Sequence, residues 1–61
     1  MKQQQGDTLS LREKLAQLEI ALIMRALSDS SHIVSHAAAA LGLKRTTLVQ
    51  KMKRYGIARE D

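Results

Sequence analysis

The sequence predicts an all-α domain in which a long first helix is followed by two shorter ones. Leucines recur at spacings of 4, 3 and 4 residues from Leu11, which places them along one side of a helix. Capping and turn residues stand where such helices would begin and end. No stretch alternates apolar and polar residues as a half-buried β-strand does.

The first helix is predicted to begin after Ser10, because Ser10 and Glu13 have the spacing of a capping box. Between residues 18 and 27 only Glu19 and Arg25 are charged, so the helix is apolar on more than one side. We expect the surplus to form a homodimer interface, although a small three-helix core could instead cover most of it. The predicted interface residues are Leu11, Leu15, Leu18, Ile20, Ile23 and Leu27.

Two shorter helices are predicted to follow a turn at residues 28–31, which are turn and cap formers. The second helix should cover about residues 33–41, and its four consecutive alanines would let two helix backbones approach closely. Gly42 suits the left-handed residue that ends a helix. The third helix should run from about Arg45 to Tyr55 and end at Gly56.

Positive charge is concentrated in the third predicted helix. The 61 residues include 10 Lys+Arg and 6 Asp+Glu, for a net charge of +4. Residues 1–43 hold four basic and four acidic side chains, whereas residues 44–54 hold five basic side chains and no acidic one. Such a block attracts a polyanion such as DNA, RNA or an anionic lipid surface, although a solvated helix face is the alternative.

Length and composition exclude several classes of function. A chain this short holds one small domain, so neither an enzyme nor a small-molecule substrate site is expected. There is no Cys, and His32 and His36 lack a third ligand, so we expect no metal and no cofactor. The longest apolar run has five residues, too few to cross a membrane. Residues 1–8 should be a disordered lead-in or linker, residues 9–61 the domain, and the protein cytoplasmic and nucleoid-associated.

A short Ala-rich helix, a Gly turn and a basic helix form the layout of a helix-turn-helix, whose second helix enters the major groove of DNA. At about 100° per residue, Leu48, Met52 and Tyr55 should face the core. Hydroxyl, amide, methyl and basic groups should face outward or flank that surface: Lys44, Arg45, Thr46, Thr47, Val49, Gln50, Lys53 and Arg54. These are the side-chain types that read bases and bind phosphates.

The run AAAALGLKRTTL at residues 37–48, followed by KMKRYGI at residues 51–57, resembles the Fis-type helix-turn-helix. The resemblance extends over about residues 11–57. This domain occurs in the factor for inversion stimulation and at the C-terminus of many sigma-54-dependent enhancer-binding activators of the NtrC class. Residues 44–49 and 51–56 are most similar to flagellar master regulators of the FleQ/FlrA type.

The resemblance implies a homodimer whose first helices form a central bundle. It also implies two recognition helices in successive major grooves of a pseudo-palindromic double-stranded DNA site. Val49 stands where the inversion factor has an arginine, and we expect it to meet a thymine methyl group. The expected base contacts are Lys44, Arg45, Thr46, Val49 and Gln50. The expected phosphate contacts are Ser35, His36, Thr47, Lys51, Lys53 and Arg54, with an ordinary surface role as the alternative for His36.

The sequence therefore predicts sequence-specific DNA binding by the C-terminal domain of a sigma-54-dependent activator. One alternative is a stand-alone Fis-like nucleoid protein. Another is a helical protein-interaction module whose basic helix meets an acidic partner, and a steep salt dependence of duplex binding would distinguish it from a DNA reader. A membrane-bound amphipathic helix is disfavoured because the basic helix lacks Trp and Phe.

Overall fold

The computed structural model describes residues 9–58 of the chain. Within this range the chain forms α1 (Leu11–Asp29), α2 (Val34–Ala40) and α3 (Arg45–Tyr55), and it contains no strand. The predicted all-α class is therefore confirmed. The predicted lead-in at residues 1–8 lies outside the described residues.

A capping box begins α1, as the sequence predicts. The Ser10 hydroxyl accepts a hydrogen bond from the Glu13 backbone N–H at 3.2 Å, and the Ser10 backbone N–H donates to Glu13 Oε1 at 2.9 Å. These two bonds satisfy donors that the first turn of a helix leaves without an intrahelical acceptor. The helix then continues to Asp29, which lies inside the turn predicted at residues 28–31.

All three helices end in a similar way, with a residue in the left-handed region, and after α1 the next residue, His32, is left-handed as well (φ 64°). The φ angle is 53° at Ser31, 71° at Gly42 and 69° at Gly56. In each case the following backbone N–H bonds back to a carbonyl five residues earlier, at 2.7, 2.8 and 2.9 Å respectively. This is the Schellman closure of a helix, which favours glycine at the left-handed position. The first closure uses serine instead.

The short α2 packs against both α1 and α3. Ala37 and Ala38 are buried, which agrees with the predicted close approach at the alanine run, whereas Ala39 and Ala40 are exposed. The helix begins and ends one residue inside the range of 33–41 that the sequence predicts.

The core lies where the three helices meet. Its buried side chains are Ile23, Ala26, Leu27, Val34, Ala37, Ala38, Leu48, Val49 and Met52. Leu41, Leu43, Tyr55 and Ile57 are partly buried and pack around them. No helix among the described residues is both long enough and apolar enough to cross a lipid bilayer.

The predicted dimer interface is wrong at two positions. Ile23 is 1% exposed and Leu27 is 3% exposed within the single chain, so both side chains belong to its own core. The sequence pattern could not distinguish them from interface residues, because α2 covers this side of α1 only once the chain has folded. Ile20 is half-buried, and Leu11, Leu15 and Leu18 are exposed.

Candidate nucleic-acid interface

The exposed side of α3 carries hydrogen-bonding and basic groups. Leu48, Val49 and Met52 hold the opposite side of the helix in the core. The exposed residues of α3 and its cap are Lys44, Arg45, Thr46, Gln50, Lys53 and Arg54. This set agrees with the outward and flanking surface predicted from the helical period, with two exceptions: Val49 is buried and Thr47 is half-buried.

Val49 is only 9% exposed and belongs to the core, so the prediction that it faces outward to meet a thymine methyl group is wrong. The period argument centred the core on Leu48, Met52 and Tyr55. In the structure Tyr55 is only half-buried, and the buried sector of α3 extends roughly 120° from Tyr55 to Val49. The buried sector is therefore displaced toward Val49, away from the edge that Tyr55 occupies.

The whole exposed side of α3 is electropositive. Its first turn contains no acidic residue, and its cap residue Lys44 makes no side-chain hydrogen bond to the helix backbone. The helix dipole places partial positive charge at this end, to which Lys44 and Arg45 add full charges. Lys53 and Arg54 supply positive charge in the last turn. A polyanion therefore meets favourable charge along the full length of the helix.

The remaining predicted phosphate contacts lie at the beginnings of helices. Ser35 and His36 are exposed in the first turn of α2, and Thr47 is half-buried in the first turn of α3. Phosphate groups commonly bind hydroxyls and backbone N–H groups at helix N-termini. Between residues 9 and 58 no cluster of three or more His, Asp or Glu side chains could hold a metal ion.

Lys51, by contrast, is engaged within the chain. Its Nζ lies 2.7 Å from Glu19 Oε2, and the Tyr55 hydroxyl donates a hydrogen bond to Glu19 Oε1. One α1 carboxylate therefore binds two side chains of α3. In the free chain the Lys51 ammonium is therefore directed at Glu19, and its expected contact with DNA phosphate stays a prediction.

The electrostatics of this cluster follow from its hydrogen bonds. The bond from Lys51 holds the pKa of the Glu19 carboxyl below its usual value, and the bond from Tyr55 lowers it further. The same contact with a negative acceptor raises the pKa of the Tyr55 hydroxyl. The cluster thus favours an ionised Glu19 together with a protonated Tyr55.

Sequence reasoning gave Glu19 no partner and missed this cluster. Two signals were present in the sequence. Glu19 is the only acidic residue in the apolar stretch 18–27, and Lys51 and Tyr55 are four residues apart on the same flank of a helix. Neither signal identifies the partner, because 32 residues separate Glu19 from Lys51.

An apolar stripe on the first part of α1 lies beside the cluster. Leu11, Leu15, Leu18 and Leu22 are between 50% and 72% exposed and follow the helical period. A groove between α1 and the end of α3 is lined by Leu15, Leu18, Leu22, Glu19, Arg54 and Tyr55, together with Arg12 and Ala16. The exposed stripe therefore reaches the carboxylate that holds α3.

Comparison with known proteins agrees with this geometry. The Fis family of bacterial regulatory proteins matches residues 11–55, from the first residue of α1 to the last residue of α3. A 50-residue segment, 82% of the chain, is 44% identical to the nitrogen fixation protein AnfA of Azotobacter vinelandii, and it spans 9% of that relative's length. No solved structure matches the chain significantly. The chain belongs to the Fis family of bacterial regulatory proteins and carries its helix-turn-helix DNA-binding domain.

Proposed function

We propose that the chain binds a pseudo-palindromic double-stranded DNA site as a homodimer, with α3 of each copy in a major groove. The observation that carries this proposal is the exposed surface of α3, which combines hydrogen-bonding side chains with positive charge and contains no carboxylate. The major groove of B-form DNA is wide enough to admit an α-helix. Base edges and phosphates are then both within reach of this surface.

Base reading is assigned to the first half of α3. Arg45 can form two hydrogen bonds with guanine, and the Gln50 amide can form two with adenine. Thr46 and Gln50 lie four residues apart on the exposed side, which separates them by about 6 Å along the helix axis. That distance is close to two base-pair steps, so the two side chains would read bases separated by one intervening base pair. Lys44 completes the set.

Phosphate binding is assigned to residues on either side of the base-reading surface. Lys53 and Arg54 would bind the backbone of one strand through charge. Ser35 and Thr47 would do so through their hydroxyls, and His36 lies beside Ser35. Lys51 is left out of this set because its ammonium is bound to Glu19.

The homodimer proposal is supported by the exposed stripe of α1. Four leucines at helical spacing form an apolar surface that a single chain leaves in water, and packing against a second α1 would bury it. A two-fold interface uses the same surface on both copies. We assign the interface to Leu11, Leu15, Leu18 and Leu22, and Leu22 thereby replaces the core residues Ile23 and Leu27. Ile20 is left out, because the helical period places it on the opposite side of α1 from these leucines.

The parent protein is proposed to be a sigma-54-dependent activator in which this domain is C-terminal. The resemblance of residues 37–48 and 51–57 to the activators supports this, and so does the similarity to a relative that is far longer than the matched segment. Two sets of target genes are candidates. Residues 44–49 resemble flagellar master regulators, whereas the 44% identical relative is a nitrogen fixation protein.

Selection of bound duplexes from a random pool tests the proposal. We expect two inverted copies of one motif, with centres one helical turn apart, about 10 base pairs, or a multiple of that. Enrichment of flexible sequences without a fixed motif would favour a stand-alone architectural protein. Failure to bind any duplex at low salt would favour a protein-interaction module. The genomic positions of the selected motif would then distinguish flagellar from nitrogen fixation targets.

A further inference from the structure

We infer that Glu19 is a positioning residue for DNA recognition, because it fixes the orientation of α3 relative to α1 and thereby sets the spacing between half-sites. This inference rests on the proposed function, since it requires a dimer formed through α1. Glu19 does not contact DNA in this scheme. It acts through Lys51 and Tyr55.

The geometry of the cluster suits this role. Each oxygen of the Glu19 carboxylate is bound to a different α3 side chain: Oε2 to Lys51 Nζ at 2.7 Å, and Oε1 to the Tyr55 hydroxyl. Lys51 and Tyr55 are one turn apart, so the carboxylate holds α3 at two points along its length. A tilt or a rotation of α3 would break at least one of these bonds.

The packing of the domain leaves α1 and α3 with few direct contacts apart from this cluster. The extensive helix contacts among the described residues are those of α2 with α1 and of α2 with α3. The buried residues near the centre of α2 are Ala37 and Ala38, whose single methyl groups interlock little with a neighbouring helix. The side-chain bonds at Glu19 therefore supply a directional contact between α1 and α3 that alanine packing alone does not.

The location of Glu19 connects this contact to the dimer. It lies between Leu18 and Leu22 of the exposed stripe, and all three residues line the same groove. A carboxylate at the interface thus holds the helix that reads DNA. Since adjacent base pairs are about 3.4 Å apart, a displacement of α3 by a few ångströms would shift its preferred half-site by one base pair.

The experiment uses the full chain and four duplexes. Three duplexes carry both selected half-sites: the first at the selected spacing, the second with one base pair inserted between the half-sites, and the third with one base pair removed. The fourth duplex carries a single half-site. The variants are Tyr55→Phe, which removes only the hydroxyl, and Glu19→Gln, which removes the charge. Asp29→Asn is the matched control, because Asp29 is an exposed α1 carboxylate paired with Arg25 at 3.4 Å.

We expect both cluster variants to lose preference for the selected spacing by about threefold to tenfold, the range for one part-exposed hydrogen bond. Tyr55→Phe should keep the wild-type affinity for the single half-site and the wild-type salt dependence, as should Asp29→Asn. Glu19→Gln also releases the Lys51 ammonium, so for this variant only the spacing preference is compared with that of wild type. A spacing preference retained in both variants would overturn the inference and leave the proposed function intact. A wild-type chain that binds no duplex would overturn both. Melting curves identify a variant that is unfolded. If Glu19→Gln is unfolded, the spacing preference of Tyr55→Phe alone decides whether the inference holds.

Discussion

Lys51 and Glu19 are 32 residues apart in the chain, yet the Lys51 ammonium lies 2.7 Å from a Glu19 carboxylate oxygen. This contact joins α3 to α1 and neutralises one positive charge of the surface that is proposed to face DNA. The basic block at residues 44–54 thus divides into four side chains that are exposed and one that is bound within the fold.

Because Lys51 is bound to Glu19 and Lys53 is exposed, we expect the two lysines to contribute differently to the salt dependence of DNA binding. Lys53→Gln should reduce the slope of log affinity against log salt by about one, because one phosphate contact is lost. Lys51→Gln should leave that slope unchanged and lower the melting temperature. Fluorescence titrations of the cognate duplex at several salt concentrations measure both slopes. A slope reduced equally by the two substitutions would assign Lys51 to the DNA surface.

The cluster also predicts a pH dependence of stability. The folded-state pKa of Glu19 is lowered, so its contribution is present above the unfolded value of about 4.3 and is lost as the pH falls through the folded value. Wild type should therefore melt at a higher temperature than Glu19→Gln near neutral pH, and the difference should shrink below about pH 4. Melting followed by circular dichroism at pH 3 and pH 7 tests this. A difference that is constant across this range would contradict it.

Arg45 should confer sequence preference. Arg45→Ala is expected to cost about 1–3 kcal/mol on the selected site and much less on random DNA, because a bidentate contact with guanine would be lost. Arg25→Ala is a suitable control, since Arg25 is an exposed α1 residue paired with Asp29. Equal losses of binding free energy on the selected site and on random DNA would indicate that Arg45 contacts only phosphate.

The dimer proposal is tested by lysine substitutions at two apolar residues of α1 that have nearly equal exposure. Leu22 is 50% exposed and Met24 is 51% exposed, and they face nearly opposite sides of α1. Leu22→Lys should sediment as a monomer that retains α2 and α3 but loses helical content at the start of α1, and should bind the two-half-site duplex weakly, because bivalent binding is lost. Met24→Lys should remain dimeric. If Leu22→Lys also sediments as a dimer, the interface lies elsewhere.

The first helix closure offers a gain in stability. Ser31 occupies the left-handed position that Gly42 and Gly56 occupy in the other two closures. Ser31→Gly should stabilise the domain by roughly 1 kcal/mol, a rise of about 4–8 °C in melting temperature. Gly42→Ala should do the opposite through backbone strain alone, since an added Cβ there would meet no atom within 4 Å. Thermal melts of the two variants should shift in opposite directions.

The features that the sequence predicted correctly are local. The capping box at Ser10, the left-handed glycines and the bounds of α3 each depend on residues a few positions apart. The errors concern which neighbour covers a helix. Whether Ile23 meets its own core or a second chain, and whether Val49 faces α2 or solvent, depends on contacts between separate helices. Helical periodicity predicts which side chains of one helix share a side. Only the packing of the helices determines which of those sides faces the core.

The beginning of α1 has a consequence for regulation. Residues 11–18 contain no buried side chain, so the first two turns depend on their cap and, in the proposed dimer, on the partner copy for stability. Ordering of this segment and pairing of two chains would then be one equilibrium, governed by protein concentration. At low concentration the occupancy of a two-half-site operator would rise with the square of the amount of chain. A twofold change in the amount of chain would consequently change the occupancy of such a site about fourfold.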